Sequence, residues 1–139
     1  MFEIVQYIVF YDLWFYWSHI LLHKYLYGKI HSIHHNADSY SMTYMDTLTG
    51  HWIENCIQPM GIFIPLTWTK TYHYLLFAWM IVMIRGFLRH DIRAIPYIGN
   101  HHLLHHKYPQ WNYGEYWLDY TFGTLCPKKN EAIHGWLYV

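Results

Sequence analysis

The chain has 139 residues, the length of one ordinary domain, and its 9 basic and 9 acidic side chains cancel to zero formal charge. With no basic stripe, nucleic-acid binding has no electrostatic footprint. Two cysteines far apart, Cys56 and Cys126, indicate neither a disulfide scaffold nor a thiolate metal site. Charged residues are 13% of the chain and aromatics 22%, poor for a soluble surface and rich in the Trp and Tyr that gather at membrane interfaces.

The first element is an apolar stretch over residues 2–22, interrupted by Gln6, Asp12 and His19. Read as a helix, it places His19 and His23 four apart on one face, so both imidazoles reach one cluster. Asp12 lies seven residues before His19 on nearly the same stripe, where its carboxylate could accept from the free N–H of a ligand ring. A second group follows, His31-Ser32-Ile33-His34-His35, whose three imidazoles fall within an arc of about 100° on a helix. Two further apolar stretches, residues 52–68 and 72–88, are joined by the short turn Thr69-Lys70-Thr71 and read as a helical hairpin. Each is shorter than the ~20 residues that a straight bilayer span prefers, so either they are tilted, distorted or partly interfacial, or they are buried helices. The spacing of the second group returns in His102-Leu103-Leu104-His105-His106, preceded by an extra His101. Only His102 opens an H-x-x-H-H, which selects it over His101.

Charge placement suggests sidedness. Lys24 and Lys29 follow the first stretch, Arg85, Arg89 and Arg93 close the third, and Lys107, Lys128 and Lys129 lie beyond, leaving only Lys70 opposite. The positive-inside rule then puts the histidine groups on the cytosolic side. The expectation is one all-α domain over residues 1–139. Its form is an integral-membrane helical bundle with spans near 2–22, 52–68 and 72–88, carrying a cytosolic helical cap made of 23–51 and 89–139.

Histidine is the compositional outlier, with 13 copies spread from His19 to His134 in spaced groups rather than in one tag-like run. Neutral imidazole ligates zinc, copper, iron or nickel. Catalytic zinc takes three protein ligands and structural zinc four. The spaced groups offer eight histidines, too many for one ion, so two metals are the economical reading. Imidazole suits iron and zinc alike, so spacing alone leaves the metal open. A nucleophilic hydrolase finds no support: there is no G-x-S-x-G, no H-E-x-x-H and no phosphate-binding glycine loop. A zinc-dependent, non-redox membrane enzyme and an inactive scaffold of the same fold stand as alternatives. His51, His73 and His134 read as polar or interfacial rather than metal-binding.

Taken together, these motifs resemble the fatty acid hydroxylase / sterol desaturase superfamily of membrane di-iron oxygenases. Asp12 to His23 is similar to that family's opening D-x-x-x-Y-W-x-H-x-x-x-H box, and His31–His35 to its second box. His51-Trp52-Ile53-Glu54 resembles the H-x-x-E that opens its membrane hairpin. His90-Asp91 resembles the isolated histidine before the last box, with Gly86 where the acyl-hydroxylase branch often has a partner histidine. The run Asn112-Tyr113-Gly114, Trp117-Leu118-Asp119, Phe122-Gly123-Thr124 is similar to the family's ending. The resemblance implies His19, His23, His31, His34, His35, His90, His102, His105 and His106 as metal ligands, with Asp12, Glu54, Asp91 and Asp119 as carboxylates supporting them. Glu54 and Asp119 read equally well as helix-end or turn residues, and residues 112–114 as a turn closing the site. It further implies two irons, dioxygen, electrons from cytochrome b5 or a reductase, and a hydroxylated or desaturated lipid. The setting it implies is an endoplasmic-reticulum-type membrane with a cytosol-facing site.

Overall fold

The computed structural model describes residues 2–137, and among them every regular element is helical, with no strand. The first helix, α1 (Phe2–Tyr25), is a continuous helix of 24 residues. Aliphatic and aromatic residues fill most of it without a glycine or proline, and Glu3 in its first turn and Lys24 in its last oppose the helix dipole. A 3₁₀ segment follows at His31–Asn36 and another at Tyr44–Leu48, the latter opened by a reciprocal cap between Thr43 and Asp46.

The stretch expected as one span over 52–68 is not one α-helix. It divides into a short helix, α2 (Trp52–Ile57), and a long 3₁₀ segment, Gln58–Thr67. Pro59 and Pro65 each lack an amide donor, so a regular α-helical ladder cannot run through them. The third stretch is α3 (Tyr72–His90), which runs two residues past the expected end and so brings His90 into its last turn. Then come a brief 3₁₀ turn at Ile92–Ala94 and three short helices: α4 (Ile95–Ile98), α5 (His101–Lys107) and α6 (Tyr116–Phe122). Gly123, in the left-handed region at φ 71°, ends α6.

α1 lies between the 58–67 segment and α3. Tyr7, Ile62, Ala78 and Val82 form the buried core there, and the Tyr7 hydroxyl is paired with Thr69 Oγ1 at 2.6 Å. Gly61 is what lets α1 approach: a Cβ at this position would stand 2.2 Å from Trp14 Cβ and 2.9 Å from the Phe10 carbonyl oxygen. Trp14 donates its indole N–H to the Ile57 carbonyl at 2.8 Å, pinning the same contact.

The outer faces of these helices are apolar too. Val5, Trp17 and Leu21 of α1 and Leu76, Phe77, Met80, Ile81 and Ile84 of α3 are exposed. Even so, no described helix is long and apolar enough to cross a membrane. Arg85 and Arg89, which the sidedness count treats as surface charges, turn inward and pair with Asp12 and Glu115. The positive surface rests on Lys24, Lys29, Arg93 and the later lysines.

Candidate metal centre

The fold gathers nine histidines from four elements into two neighbouring groups. His19 and His23 of α1, His31 and His35 of the first 3₁₀ segment and His105 of α5 form one; His34, His90, His102 and His106 form the other. Within each group one nitrogen per ring lies within 4.8 Å of all the others. Both H-x-x-H-H boxes divide alike: the outer pair, four apart, joins one group and the middle histidine crosses to the other. The groups touch, with the rings of His35 and His106 stacked at 4.5 Å between centroids.

Ring tautomers decide what this arrangement can hold. The Nδ1–H of His19 donates to the Tyr113 carbonyl (2.6 Å), that of His34 to Thr49 (2.7 Å), that of His90 to Gly86 (2.9 Å) and that of His105 to Trp111 (2.6 Å). His31 donates from Nδ1 to the Glu54 carboxylate at 2.8 Å. Carbonyl and carboxylate oxygens only accept, so in the neutral ring each Nε2 is a bare lone pair. Burial favours the neutral ring, holding His23 and His90 down at about 3 and His35 at about 2, against an ordinary 6.5; it also lowers His34, His102, His105 and His106.

Yet Nε2 of His19 faces Nε2 of His31 at 2.9 Å, and Nε2 of His90 faces that of His34 at 3.1 Å. Two lone pairs cannot hydrogen-bond to each other. A cation between them resolves the conflict: nitrogens ~2.0–2.1 Å from one ion and at right angles lie about 2.9 Å apart. His106 makes the same point, since both of its ring nitrogens are buried without a protein partner. The donor set is thus fitted to two nitrogen-bound metal ions, one per group.

The carboxylates divide. Glu54, 1% exposed on α2, backs His31 directly. Asp12 accepts from Arg85 instead of a ring N–H, because two helical turns separate it from His19, whose Nδ1 is taken by Tyr113. Asp91 also touches no ligand ring: it caps the following turn through Arg93 N (2.9 Å) and pairs with the Arg93 guanidinium. Asp119 acts one step removed. Fully buried, it accepts from Tyr113 N (2.8 Å), Gly114 N (3.0 Å), the Thr124 hydroxyl (2.6 Å) and His101 Nε2 (2.9 Å). It thereby holds the 111–114 loop whose carbonyls meet His19 and His105. Asn112, at φ 57°, completes that loop by donating to the His101 carbonyl.

His101 therefore belongs to the loop support and not to either group. His51 caps α2 by accepting from Ile53 N, His73 packs on Tyr74, and His134 lies beside Tyr116. Sequence reasoning did not single out Arg85, Arg89 and Glu115 as a buried charge cluster tying α3 to the segment before α6. Nor did it find Thr47, which donates to the Gly86 carbonyl at 3.0 Å beside His90. A buried arginine has no spacing signature, and only a carboxylate brought near from elsewhere reveals it.

A cavity of about 260 Å³ reaches the four-histidine group, lined on its apolar side by Tyr11, Phe15, Trp79 and Met83 and at its floor by His34, His90 and His102. A different opening borders His23, with Lys24, Tyr27 and Gln110 around it.

Comparison with known proteins places this architecture. The family model for fatty acid hydroxylases matches residues 4–124. A Delta(7)-sterol 5(6)-desaturase from Gibberella zeae is 32% identical over 133 residues, covering 86% of this chain and 40% of that protein. The chain thus spans about two fifths of the length of that relative. No solved structure matches.

Proposed function

Because the chain belongs to the fatty acid hydroxylase family, we propose that it is an O2-dependent di-iron oxidoreductase acting on C–H bonds of a lipid, as a hydroxylase or desaturase. The observation that carries this reading is the division of nine histidines into two touching, nitrogen-only groups with an apolar cavity at one of them. The relative's name supports a sterol or other lipid substrate. The exposed apolar faces of α1 and α3 support a membrane setting for the protein, with the histidine-bearing segments on the cytosolic face. Electrons would come from a separate donor such as cytochrome b5 or a reductase.

His19, His23, His31, His35 and His105 would hold one iron, and His34, His90, His102 and His106 the other. Iron bound there supplies dioxygen activation and the oxidising power to take hydrogen from an alkyl carbon. The chain does the rest. Tyr11, Phe15, Trp79 and Met83 bind the alkyl part of the substrate beside the four-histidine group and keep water from it. Glu54 and the carbonyls of residues 49, 86, 111 and 113 orient five of the rings by fixing the proton on Nδ1. The Arg85–Glu115 pair locks α3 to the loop before α6, so that His90 and His102 meet.

The test is metal analysis of purified protein, followed by a single turnover with dioxygen on a lipid extract. Two irons per chain and an oxygen-dependent product are expected, both lost in His102→Ala and His105→Ala. Turnover without oxygen in a zinc-loaded protein would instead favour the non-redox zinc enzyme.

A further inference from the structure

We propose that the two metal positions are unequal: the five-histidine position holds its ion tightly, and the four-histidine position, which faces the cavity, holds its ion loosely. This rests on the metal-binding reading above and concerns which residues set each affinity.

Three differences point the same way. The first is the support behind the rings. Three of the five rings in the larger group are oriented through Nδ1, by Tyr113, Glu54 and Trp111. In the smaller group only His34 and His90 are supported; Nδ1 of His102 and of His106 is buried with no protein acceptor, as is Nδ1 of His35 in the larger group, so three oriented rings stand against two. An acceptor on the far nitrogen fixes the tautomer and raises ligand basicity, and losing one typically weakens a metal site 10–100-fold.

The second is charge. Among the described residues, Glu54 is the only carboxylate touching a nitrogen of the nine rings, and it serves the five-histidine group. Arg89, paired with Glu115, lies on the other side, lining the cavity with His34, His90 and His102. The third is access. Three of the four histidines in the smaller group line the apolar cavity, whereas of the five only His23 borders an opening, the separate one beside Lys24, Tyr27 and Gln110. A position that substrate and oxygen approach must keep coordination open, and the fold leaves that role to the smaller group.

The experiment is release of metal from the fully loaded wild-type chain in detergent, using an excess of chelator and a metal-sensitive dye. Two phases of one equivalent each are expected, their rates at least about tenfold apart. Glu54→Gln, nearly isosteric, should speed the slow phase roughly 10–100-fold and leave the fast phase alone. Thr47→Val removes the hydroxyl beside His90 and should alter only the fast phase. Loss of both equivalents in a single phase overturns the inference, as does a Glu54→Gln effect confined to the fast phase. Either result leaves the di-metal function standing. A chain that takes up no metal at all overturns both.

Discussion

Replacing Asp119 by Asn should loosen the centre without touching any of the nine histidines. The two carboxylate oxygens accept four hydrogen bonds: Oδ1 from Tyr113 N and the Thr124 hydroxyl, Oδ2 from Gly114 N and His101 Nε2. An asparagine of the same shape turns one oxygen into an NH2, so two of these donors face a donor in a site that is 0% exposed. Hydrogen bonds to a charged group contribute about 1.5–3 kcal/mol each, so the loss is about 3–6 kcal/mol. Whole-domain stability is only about 5–15 kcal/mol. For a chain of this size the change corresponds to a fall in melting temperature of roughly 10–20 °C. The consequence reaches the metal, because the Tyr113 and Trp111 carbonyls that orient His19 and His105 sit on the loop that Asp119 holds. Thermal unfolding of purified protein, paired with metal content, reads both effects. A shift of less than about 3 °C with full metal retention would show that the loop is held by something other than Asp119, and the reasoning would fail.

Gly61→Ala should destabilise the hairpin, since its Cβ meets Trp14 Cβ and the backbone of Phe10, neither of which is a flexible tip. A loss of at least about 1–3 kcal/mol is expected, seen as a lower melting temperature, and an unchanged one would refute the close approach. Stability should also fall with acid. His23, His35 and His90 are depressed in the folded chain to about 3, 2 and 3 from 6.5, so between those limits the unfolded chain binds more protons. The stability they contribute is therefore complete above pH ~6.5 and lost progressively below it. Melting temperature measured from pH 8 to pH 5 should stay level down to about 6.5 and then drop, together with metal retention. A flat profile through pH 5 would contradict the buried neutral rings.

The parts legible in the sequence are those with a period or a strong local rule. The repeated H-x-x-H-H, the His19–His23 pair and the turn at Asn112-Tyr113-Gly114 stand out because imidazole excess and turn chemistry are local signals. α1 and α3 follow from continuous apolar stretches free of proline. The second span fails as a helix because Pro59 and Pro65 outweigh its apolarity. Asp12 illustrates the limit of spacing. It shares a helical stripe with His19, yet its partner is Arg85, which stands 73 residues later and is brought across only when α1 packs on α3. The same packing removes Arg85 and Arg89 from the surface, where a count of charges along the chain had left them.

Composition and spacing by themselves determine that this chain carries more imidazole than one ion can use, and that the imidazoles come in matching boxes. Tertiary structure alone decides how the boxes are shared. His34 leaves its neighbours His31 and His35 for His90 and His102, while His105 leaves His102 and His106 for the α1 pair. The physical reason for these two rings is that an Nδ1 acceptor, the Thr49 carbonyl for His34 and the Trp111 carbonyl for His105, aims each at its group. Those acceptors, like the carbonyls of Gly86 and Tyr113, belong to peptide groups that carry no side-chain signature.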